Sequence, residues 1–225
     1  MKVVSLFSGG KDSTFSTYLA VMMGYEIKYL LTFFPKSTDS WMFHHPCIEL
    51  TKVQARLMKK PQLIVKTSGK KEEELRDLKN GLLRIKDKLD GLVYGAVASE
   101  YQRHRINIVA EEVGLRSFSP LWHKNPQKLV KEILDAGFRV IITSVSCDGL
   151  NEEWLGKELT DESIKELVEL SKKFGFNPAG EGGEFETFVL SSPLFDREIK
   201  ITDYKKVWDD KTSSGYIIVK SYKVV

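Results

Sequence analysis

The first 114 residues alternate short apolar runs with longer segments of helical character. The apolar runs are "KVVSLF", "EIKYLLTFF", "QLIVKT" and "GLVYGAV", and each has the length of one buried strand. The segments between and after them begin at Asp12, Pro46, Glu72 and Ser99. Because strand–helix–strand units join parallel strands through right-handed crossovers, this pattern predicts a doubly wound parallel sheet with helices on both faces.

The rhythm of the chain changes after Pro120. "PQKLVKEILDAG" and "DESIKELVELSKKFG" have the pattern of helices, "FRVIITSVS" between them that of a strand, and the remaining tail is rich in strand-forming residues. We therefore predict two domains, an α/β domain over residues 1–120 and a smaller α+β domain over residues 121–225.

Composition excludes several classes of protein. The net charge of the 225 residues is only +3, so a direct nucleic-acid partner or an anionic membrane surface is not expected. No apolar run approaches the length of a membrane span, and "MKVVSLFSGG" has the pattern of a strand rather than a leader. Cys47 and Cys147 form no CxxC pair, so neither a disulfide scaffold nor a zinc site is indicated. We expect a cytoplasmic protein, and its many lysines and glutamates favour a heat-adapted source.

The turn "SGGKDS" joins the first strand to the first helix. Ligands of parallel sheets bind at the carboxyl ends of strands, and a helix N-terminus favours an anion. Gly9 and Gly10 allow close approach of the backbone, Ser8 and Ser13 supply hydroxyl groups, and Lys11 supplies a positive charge. The turn therefore predicts a phosphate site. The structural alternative is a glycine turn in which Asp12 and Ser13 only begin the helix.

The turn matches neither the Walker A pattern GxxxxGK[ST] nor GxGxxG. It resembles the PP-loop signature of the adenine-nucleotide alpha-hydrolase superfamily, which holds the pyrophosphate of ATP and acts at its α-phosphate. The resemblance implies ATP and Mg²⁺ as cofactors, with Asp12 a candidate ligand of the metal. The residues that it assigns to the phosphates are Ser8, Gly9, Gly10, Lys11, Asp12 and Ser13.

Three further stretches narrow the resemblance. "YGAVASEYQRHR" (94–105), "PLWHK" (120–124) and "GEGGEFET" (180–187) resemble the blocks that accompany the PP-loop in the diphthine–ammonia ligase family, and "WLGKEL" (154–159) resembles its second domain. The similarity covers most of the chain in the expected order. It implies a single-chain archaeal type of the enzyme, without the extra domains of eukaryotic members.

That family resemblance implies a reaction and partners. Diphthine is a modified histidine of translation elongation factor 2, and its carboxylate would be amidated with ammonium through an acyl-adenylate, releasing AMP and pyrophosphate. Free ammonium is the expected nitrogen source, since residue 2 is Lys2 rather than the cysteine of one common amidase type. A homodimer is left open.

Further candidates for nucleotide contact lie at the predicted strand ends and at the start of the following helix. Their position alone makes candidates of four residues, Thr32, Phe33, Gly95 and Ala96. Two more, Gln102 and Arg103, are candidates mainly because of the family resemblance. The alternative for this helix is a solvated basic face, which we favour for Arg105. The adjacent His44 and His45 are not expected to form a metal pair, because neighbouring side chains diverge.

The stretch "GEGGEFET" carries the candidates for the second half of the reaction. If "GEFETFVL" is a strand, Glu184 and Glu186 point to the same side, and two such carboxylates repel each other unless a cation lies between them. Mg²⁺, ammonium and the quaternary ammonium of diphthine could each be that cation. The alternative without a functional role is a solvated turn. We predict Lys11, Glu184 and Glu186 as catalytic residues. The predicted substrate contacts are Tyr101, Trp122, Glu181, Gly182, Gly183 and Thr187.

Two other functions compete with the ligase. A tRNA-modifying PP-loop enzyme would be expected to show cysteine chemistry and a broad basic surface. A non-catalytic sensor of ATP or AMP would not need paired glutamates. Release of AMP as a product distinguishes the ligase from the sensor.

The aromatic side chains of Trp122 and Tyr101 can stack on adenine or face a trimethylammonium group. For Trp122, packing between domains is the alternative.

Overall fold

The computed structural model describes residues 1–35, 47–68 and 71–225. The described residues form two compact units, one made of Met1–Ser8 and Asp12–Trp122, and the other of Gly9–Lys11 and His123–Val225. The predicted helix start at Pro46 and the adjacent His44 and His45 lie outside the described residues.

The N-terminal unit is built on a sheet of five parallel strands in the order β3-β2-β1-β4-β5. This confirms the predicted doubly wound fold. The order reverses between β1 and β4, and such a switch point is where open α/β sheets bind ligands. The strands are β1 (Lys2–Leu6), β2 (Glu26–Pro35), β3 (Gln62–Thr67), β4 (Gly91–Val93) and β5 (Arg116–Phe118), and the helices are α1 (Lys11–Met22), α2 (Thr51–Leu57), α3 (Lys71–Leu83) and α4 (Glu100–Val113).

The central strands are apolar on both sides because helices cover both faces of a parallel sheet. Val3 and Val4 of β1, Leu30 and Leu31 of β2 and Leu92 of β4 are fully buried. The helix α4 begins and ends where the sequence predicts: Ser99 caps it by accepting a hydrogen bond from the Gln102 amide, and it stops at Gly114 with φ of 80°.

Three elements differ from the pattern in the sequence. The predicted strand 91–97 ends at Val93, and α3 ends at Leu83, followed by a separate 3-10 turn at Lys86–Lys88. The strand β5 was not predicted. Its "RSF" is short and mostly exposed at the sheet edge, so it lacks the apolar run that marks the other strands.

The C-terminal unit contains an antiparallel sheet in the order β7-β6-β9-β8, which confirms the smaller α+β fold. The strands β8 and β9 form a hairpin that pairs from Ile199↔Val224 to Asp209↔Ser214, whereas β6 meets β9 only at Ser144↔Tyr216 and Val145↔Gly215. The elements are α5 (Pro126–Asp135), β6 (Arg139–Val145), α6 (Asp161–Phe174), β7 (Phe185–Ser191), β8 (Ile199–Asp209) and β9 (Ser214–Val224).

None of the helices in the described ranges has the length and apolar character needed to cross a membrane.

Candidate functional site

The predicted phosphate loop follows the carboxyl end of β1 and leads into α1. Gly9 takes φ of 80°, a conformation that glycine adopts readily and other residues rarely adopt. The Ser8 amide donates to Oγ of Ser13 at 3.2 Å, and the two serine hydroxyls lie 3.1 Å apart. The hydroxyls predicted to meet phosphate therefore also close the loop on itself.

A buried set of hydroxyl groups supports the end of this loop. Oγ1 of Thr17 donates to the Ser13 carbonyl oxygen at 2.7 Å, and it lies 2.7 Å from Oγ of Ser5 on β1. Ser5 and Thr17 have no exposed surface. Sequence reasoning missed both residues, although a serine inside the apolar run "VVSLF" was a signal, since a buried hydroxyl needs a partner.

Gly95, after β4, lies directly against the start of α1. A Cβ atom at Gly95 would stand 2.9 Å from the carbonyl carbon of Asp12 and from the amide nitrogen of Ser13. The adjacent Ala96 is buried, and its carbonyl oxygen accepts a hydrogen bond from Oγ of Ser119 at 2.8 Å. The structure thus brings Gly95, one of the predicted nucleotide contacts, against the Asp12–Ser13 backbone so closely that a side chain is excluded.

Within the C-terminal unit, the loop residues Gly9 and Lys11 bond to β7. The Lys11 amide donates to Oγ1 of Thr187 at 3.1 Å, and the Val189 amide donates to the Gly9 carbonyl oxygen at 3.0 Å. Thr187, predicted as a substrate contact, is buried here and supports the backbone of the loop.

The Lys11 side chain also belongs to the C-terminal unit. It is only 2% exposed, and its ammonium donates to the Ala179 carbonyl oxygen. The same nitrogen lies 5.7 Å from the centre of the Phe185 ring, at a distance where a cation is attracted by an aromatic face. A buried lysine with such partners is held in one orientation.

Glu184 immediately precedes β7, and its carboxylate is held inward. Oε1 accepts a hydrogen bond from the Asn177 amide at 2.9 Å, while Oε2 is buried with no hydrogen-bond partner among the described residues. A Cβ atom at Gly182 would stand 2.8 Å from Oε1, so glycine leaves room for the carboxylate. A buried carboxylate oxygen is costly unless a hydrogen-bond donor or a cation pairs with it.

The other residues of the "GEGGEFET" stretch differ in how far they are exposed to solvent. Glu186 on β7 is half-buried and stands opposite Ser144 of β6. Glu181 is half-buried, and Gly182 and Gly183 are exposed. Among the described residues there is no group of three or more His, Cys, Asp or Glu side chains arranged to hold a metal ion. The cation of the predicted Glu184–Glu186 pair stays a prediction.

The start of α4 carries a stack of charged and aromatic side chains. Nε and Nη2 of Arg103 both donate to Oε2 of Glu100 at 3.2 Å, and the guanidinium lies 4.6 Å from the centre of the Trp122 ring. The Arg105 guanidinium similarly lies 4.7 Å from the ring of Tyr101, which is half exposed. The Gln102 side chain is exposed. Both predicted aromatic contacts thus already face a cationic group of this chain.

The two candidates on β2 are less accessible. Thr32 is fully buried, and its hydroxyl accepts a hydrogen bond from Nε2 of Gln62 at 2.9 Å. Phe33 is partly buried and packs against the apolar core of the N-terminal unit. Their contact with adenine stays a prediction.

Neither cysteine has the properties of a reactive thiol. Burial raises the pKa of the Cys47 thiol to about 12. Burial, together with the negative charges of Glu184 and Asp148, raises the pKa of the Cys147 thiol to about 11. The thiolate is the nucleophilic form of cysteine, and both thiols keep their protons near neutral pH. This disfavours sulfur-transfer chemistry at these positions.

Comparison with known proteins relates both halves of the chain to one family. Residues 1–117 match the family model for the diphthamide synthase N-terminal domain, and residues 125–225 match that for the diphthamide synthase C-terminal domain. A solved structure of a predicted tRNA methyltransferase subunit from Methanocaldococcus jannaschii covers 85% of this chain at 16% identity, with a TM-score of 0.46. That likeness is too weak to bear on fold or function.

Curated relatives agree with the family models. The diphthine–ammonia ligase of Schizosaccharomyces pombe is 34% identical over 98% of this chain, and the chain spans 39% of that protein. The human diphthine–ammonia ligase is 33% identical over 92% of this chain, which spans 85% of it. The chain therefore belongs to the diphthamide synthase family, and the relatives it resembles are ligases.

Proposed function

We propose that this protein is a diphthine–ammonia ligase that uses ATP to amidate the diphthine carboxylate of translation elongation factor 2 with ammonium. The observation that carries the proposal is the match of both halves of the chain to the two diphthamide synthase domains. The nucleotide part of the proposal is supported by Asp12 and Ser13, which lie against Gly95 in a sheet whose strand order reverses between β1 and β4.

The reaction proceeds in two steps with ATP as a substrate. An oxygen of the diphthine carboxylate bonds to the α-phosphorus, the bond from that phosphorus to the bridging oxygen breaks, and pyrophosphate leaves with the electron pair. Nitrogen then bonds to the acyl carbon of the acyl-adenylate, the carbon–oxygen bond breaks, and AMP leaves. Ammonium loses two protons to water on becoming the amide nitrogen.

The residues of this chain serve these steps mainly by electrostatics and positioning. Backbone amides at the start of α1 and the Lys11 ammonium meet the phosphates, and the ammonium keeps its orientation through the Ala179 carbonyl oxygen. Glu184 and Glu186 face the cation of the second step, which is ammonium or the quaternary ammonium of diphthine. Glu184 fits that role, because one of its carboxylate oxygens is buried and has no hydrogen-bond partner within residues 1–35, 47–68 and 71–225.

Mg²⁺ fits the phosphate site as a metal carried mostly by the substrate. Magnesium in nucleotide enzymes is commonly held by one or two carboxylates together with phosphate oxygens. Asp12 lies in the first turn of α1 and would supply one carboxylate to the metal. Because the described residues hold no three-ligand cluster, the phosphates would provide the remaining ligands. The metal would neutralise charge that develops on them.

The surroundings of the protein follow from the same proposal. Its macromolecular partner is diphthine-bearing elongation factor 2, and the two proteins meet in the cytoplasm. The net charge of only +3 argues against a direct nucleic-acid partner. In this proposal residues 1–120 hold the nucleotide, and residues 121–225 bind the protein substrate and contribute to catalysis.

The products of ATP test the proposed reaction. We expect AMP and pyrophosphate, because the attacked atom is the α-phosphorus, and their formation should depend on diphthine-bearing elongation factor 2. Chromatography of labelled ATP identifies the nucleotide product, and mass spectrometry of the target peptide detects conversion of the acid to the amide. ADP as the main product would end the ligase proposal, and absence of any turnover would favour a nucleotide sensor.

The close approach of Gly95 to α1 gives a second prediction. In Gly95→Ala the added methyl group must displace the Asp12–Ser13 backbone, and we expect ATP to bind about fivefold more weakly, equivalent to ~1 kcal/mol. Isothermal titration calorimetry measures the affinity.

Gly114→Ala is the matched control for this change. Gly114 has φ of 80° and nothing within 4 Å of an added Cβ atom, so alanine there strains the backbone by about 1–2 kcal/mol without touching the loop. It should lower the free energy of unfolding and leave ATP affinity unchanged. Equal losses of affinity in both variants would contradict the proposed contact.

A further inference from the structure

Asn177 lies between two of the side chains that the proposed function uses. Its backbone amide donates to Oε1 of Glu184 at 2.9 Å, and its own Oδ1 accepts a hydrogen bond from the Ala179 amide at 2.9 Å. The carbonyl oxygen of the same Ala179 accepts the Lys11 ammonium. All four residues belong to the C-terminal unit. A continuous path of three hydrogen bonds therefore joins the Glu184 carboxylate to the lysine of the phosphate loop.

We infer that Asn177 is a positioning residue that couples Glu184 to Lys11. The inference rests on the proposed function for the roles of those two residues, and it adds a connection between them. A shift of the Glu184 carboxylate on binding its cation pulls on the Asn177 amide. The turn that follows Asn177 passes that shift to the Ala179 carbonyl oxygen and so to the Lys11 ammonium.

The local sequence explains why asparagine stands at this position. In "NPAG" the side-chain oxygen of Asn177 bonds to the amide two residues ahead, and the Gly180 amide donates to the Asn177 carbonyl oxygen at 2.9 Å. Pro178 fixes the backbone between them and has no N–H group of its own to satisfy. The turn is thus closed twice, by the side chain and by the backbone of one residue.

The end of the turn is also fixed. Gly180 takes φ of 71°, and a Cβ atom there would stand 2.9 Å from the Phe185 ring. Phe185 is itself buried and lies beneath the Lys11 ammonium. A turn constrained at both ends transmits displacement rather than absorbing it, because packed interiors deform little.

A double-mutant cycle on ATP affinity tests the coupling. Asn177→Ala removes the acceptor for the Ala179 amide, and we expect the Kd for ATP to rise about fivefold, the effect of a lost hydrogen bond. In the Lys11→Ala background the same change should alter the Kd less than about twofold, since Asn177 acts through Lys11. Asn177→Asp keeps an acceptor of the same shape and should restore most of the affinity.

Asn151→Ala is the matched control. Oδ1 of Asn151 accepts a hydrogen bond from the Glu153 amide, also two residues ahead and in the same unit, but Asn151 takes no part in the Glu184–Lys11 path. It should leave the Kd for ATP unchanged. An equal effect of Asn177→Ala with and without Lys11, or no effect in either, overturns the inference. If Asn177→Ala melts below the assay temperature, Asn177→Ser, a weaker acceptor, enters the same cycle with the same criteria.

Failure of the inference and failure of the proposed function give different results. If the wild-type protein forms amide but the effects of the Asn177 and Lys11 substitutions on ATP affinity are additive, the inferred coupling is wrong. The ligase proposal then stands. If the cycle shows coupling but no amide is formed from diphthine-bearing elongation factor 2, the ligase proposal fails and the link from Asn177 to Lys11 stands. The same cycle on the free energy of unfolding in urea requires no ligand and reports whether the hydrogen-bonded path itself exists.

Discussion

Amide formation should fall about a hundredfold in Glu184→Gln and Glu186→Gln, because a charge-dependent contact in a catalytic site contributes a few kcal/mol to the rate. Glutamine keeps the shape of glutamate and, at Glu184, an oxygen that accepts the Asn177 amide. The substitution therefore removes charge while leaving the turn in place. We accordingly expect a near-normal melting temperature and near-normal ATP affinity, with the loss confined to the amidation rate.

Three measurements on each variant separate the explanations: melting temperature, ATP affinity by calorimetry, and amide formation by mass spectrometry. Glu152→Gln, at an exposed glutamate of the same unit, is the control and should behave as wild type. A normal amidation rate in both variants would show that neither Glu184 nor Glu186 takes part in catalysis. Loss of folding in both would make them structural.

The second large effect is expected at Lys11. Lys11→Ala should weaken ATP binding or turnover at least tenfold, since a hydrogen bond to a charged group contributes about 1.5–3 kcal/mol. The side chain is buried against Phe185, so its removal also risks a packing defect. Lys11→Met keeps most of the volume and removes the charge.

The comparison of the two Lys11 variants distinguishes charge from packing. If both lose the same ATP affinity and Lys11→Met keeps the wild-type melting temperature, the ammonium itself carries the effect. If Lys11→Met binds ATP normally, the phosphate site does not depend on the charge of this lysine. Calorimetric titration with ATP and Mg²⁺ gives the affinities, and thermal unfolding followed by circular dichroism gives the stabilities.

Local patterns were sufficient to predict four of the five strands of the N-terminal unit and its doubly wound arrangement. Buried parallel strands are continuous apolar runs, and the caps at Ser99 and Gly114 are set by residues next to the helix. The strand β5 carried no such signal, because its residues are largely exposed and its pairing with β4 decides its conformation. The prediction was also wrong at Tyr94–Val97, which do not continue β4 although Tyr94, Ala96 and Val97 are buried and suit a strand by composition.

The site was predictable only in part. Position at a strand end pointed to Ser8–Ser13 and to Gly95, and the structure brings Gly95 against Asp12 and Ser13. The partners of Lys11 were not predictable, because Ala179 and Thr187 lie 168 and 176 residues away in the chain. Nothing local to "NPAG" or "FETF" indicates that a lysine near the N-terminus ends beside them.

The assignment of Gly9–Lys11 to the C-terminal unit, while Ser8 and Asp12 belong to the N-terminal one, has a consequence for dissection of the protein. A fragment that ends near residue 120 would contain the whole hexapeptide but lack Thr187 and Val189, which bond to Lys11 and Gly9. We therefore expect neither truncated half to be a minimal nucleotide-binding module. Fragment complementation would have to rebuild the loop from two polypeptides, and any chimera that transplants this hexapeptide would need β7 transplanted with it.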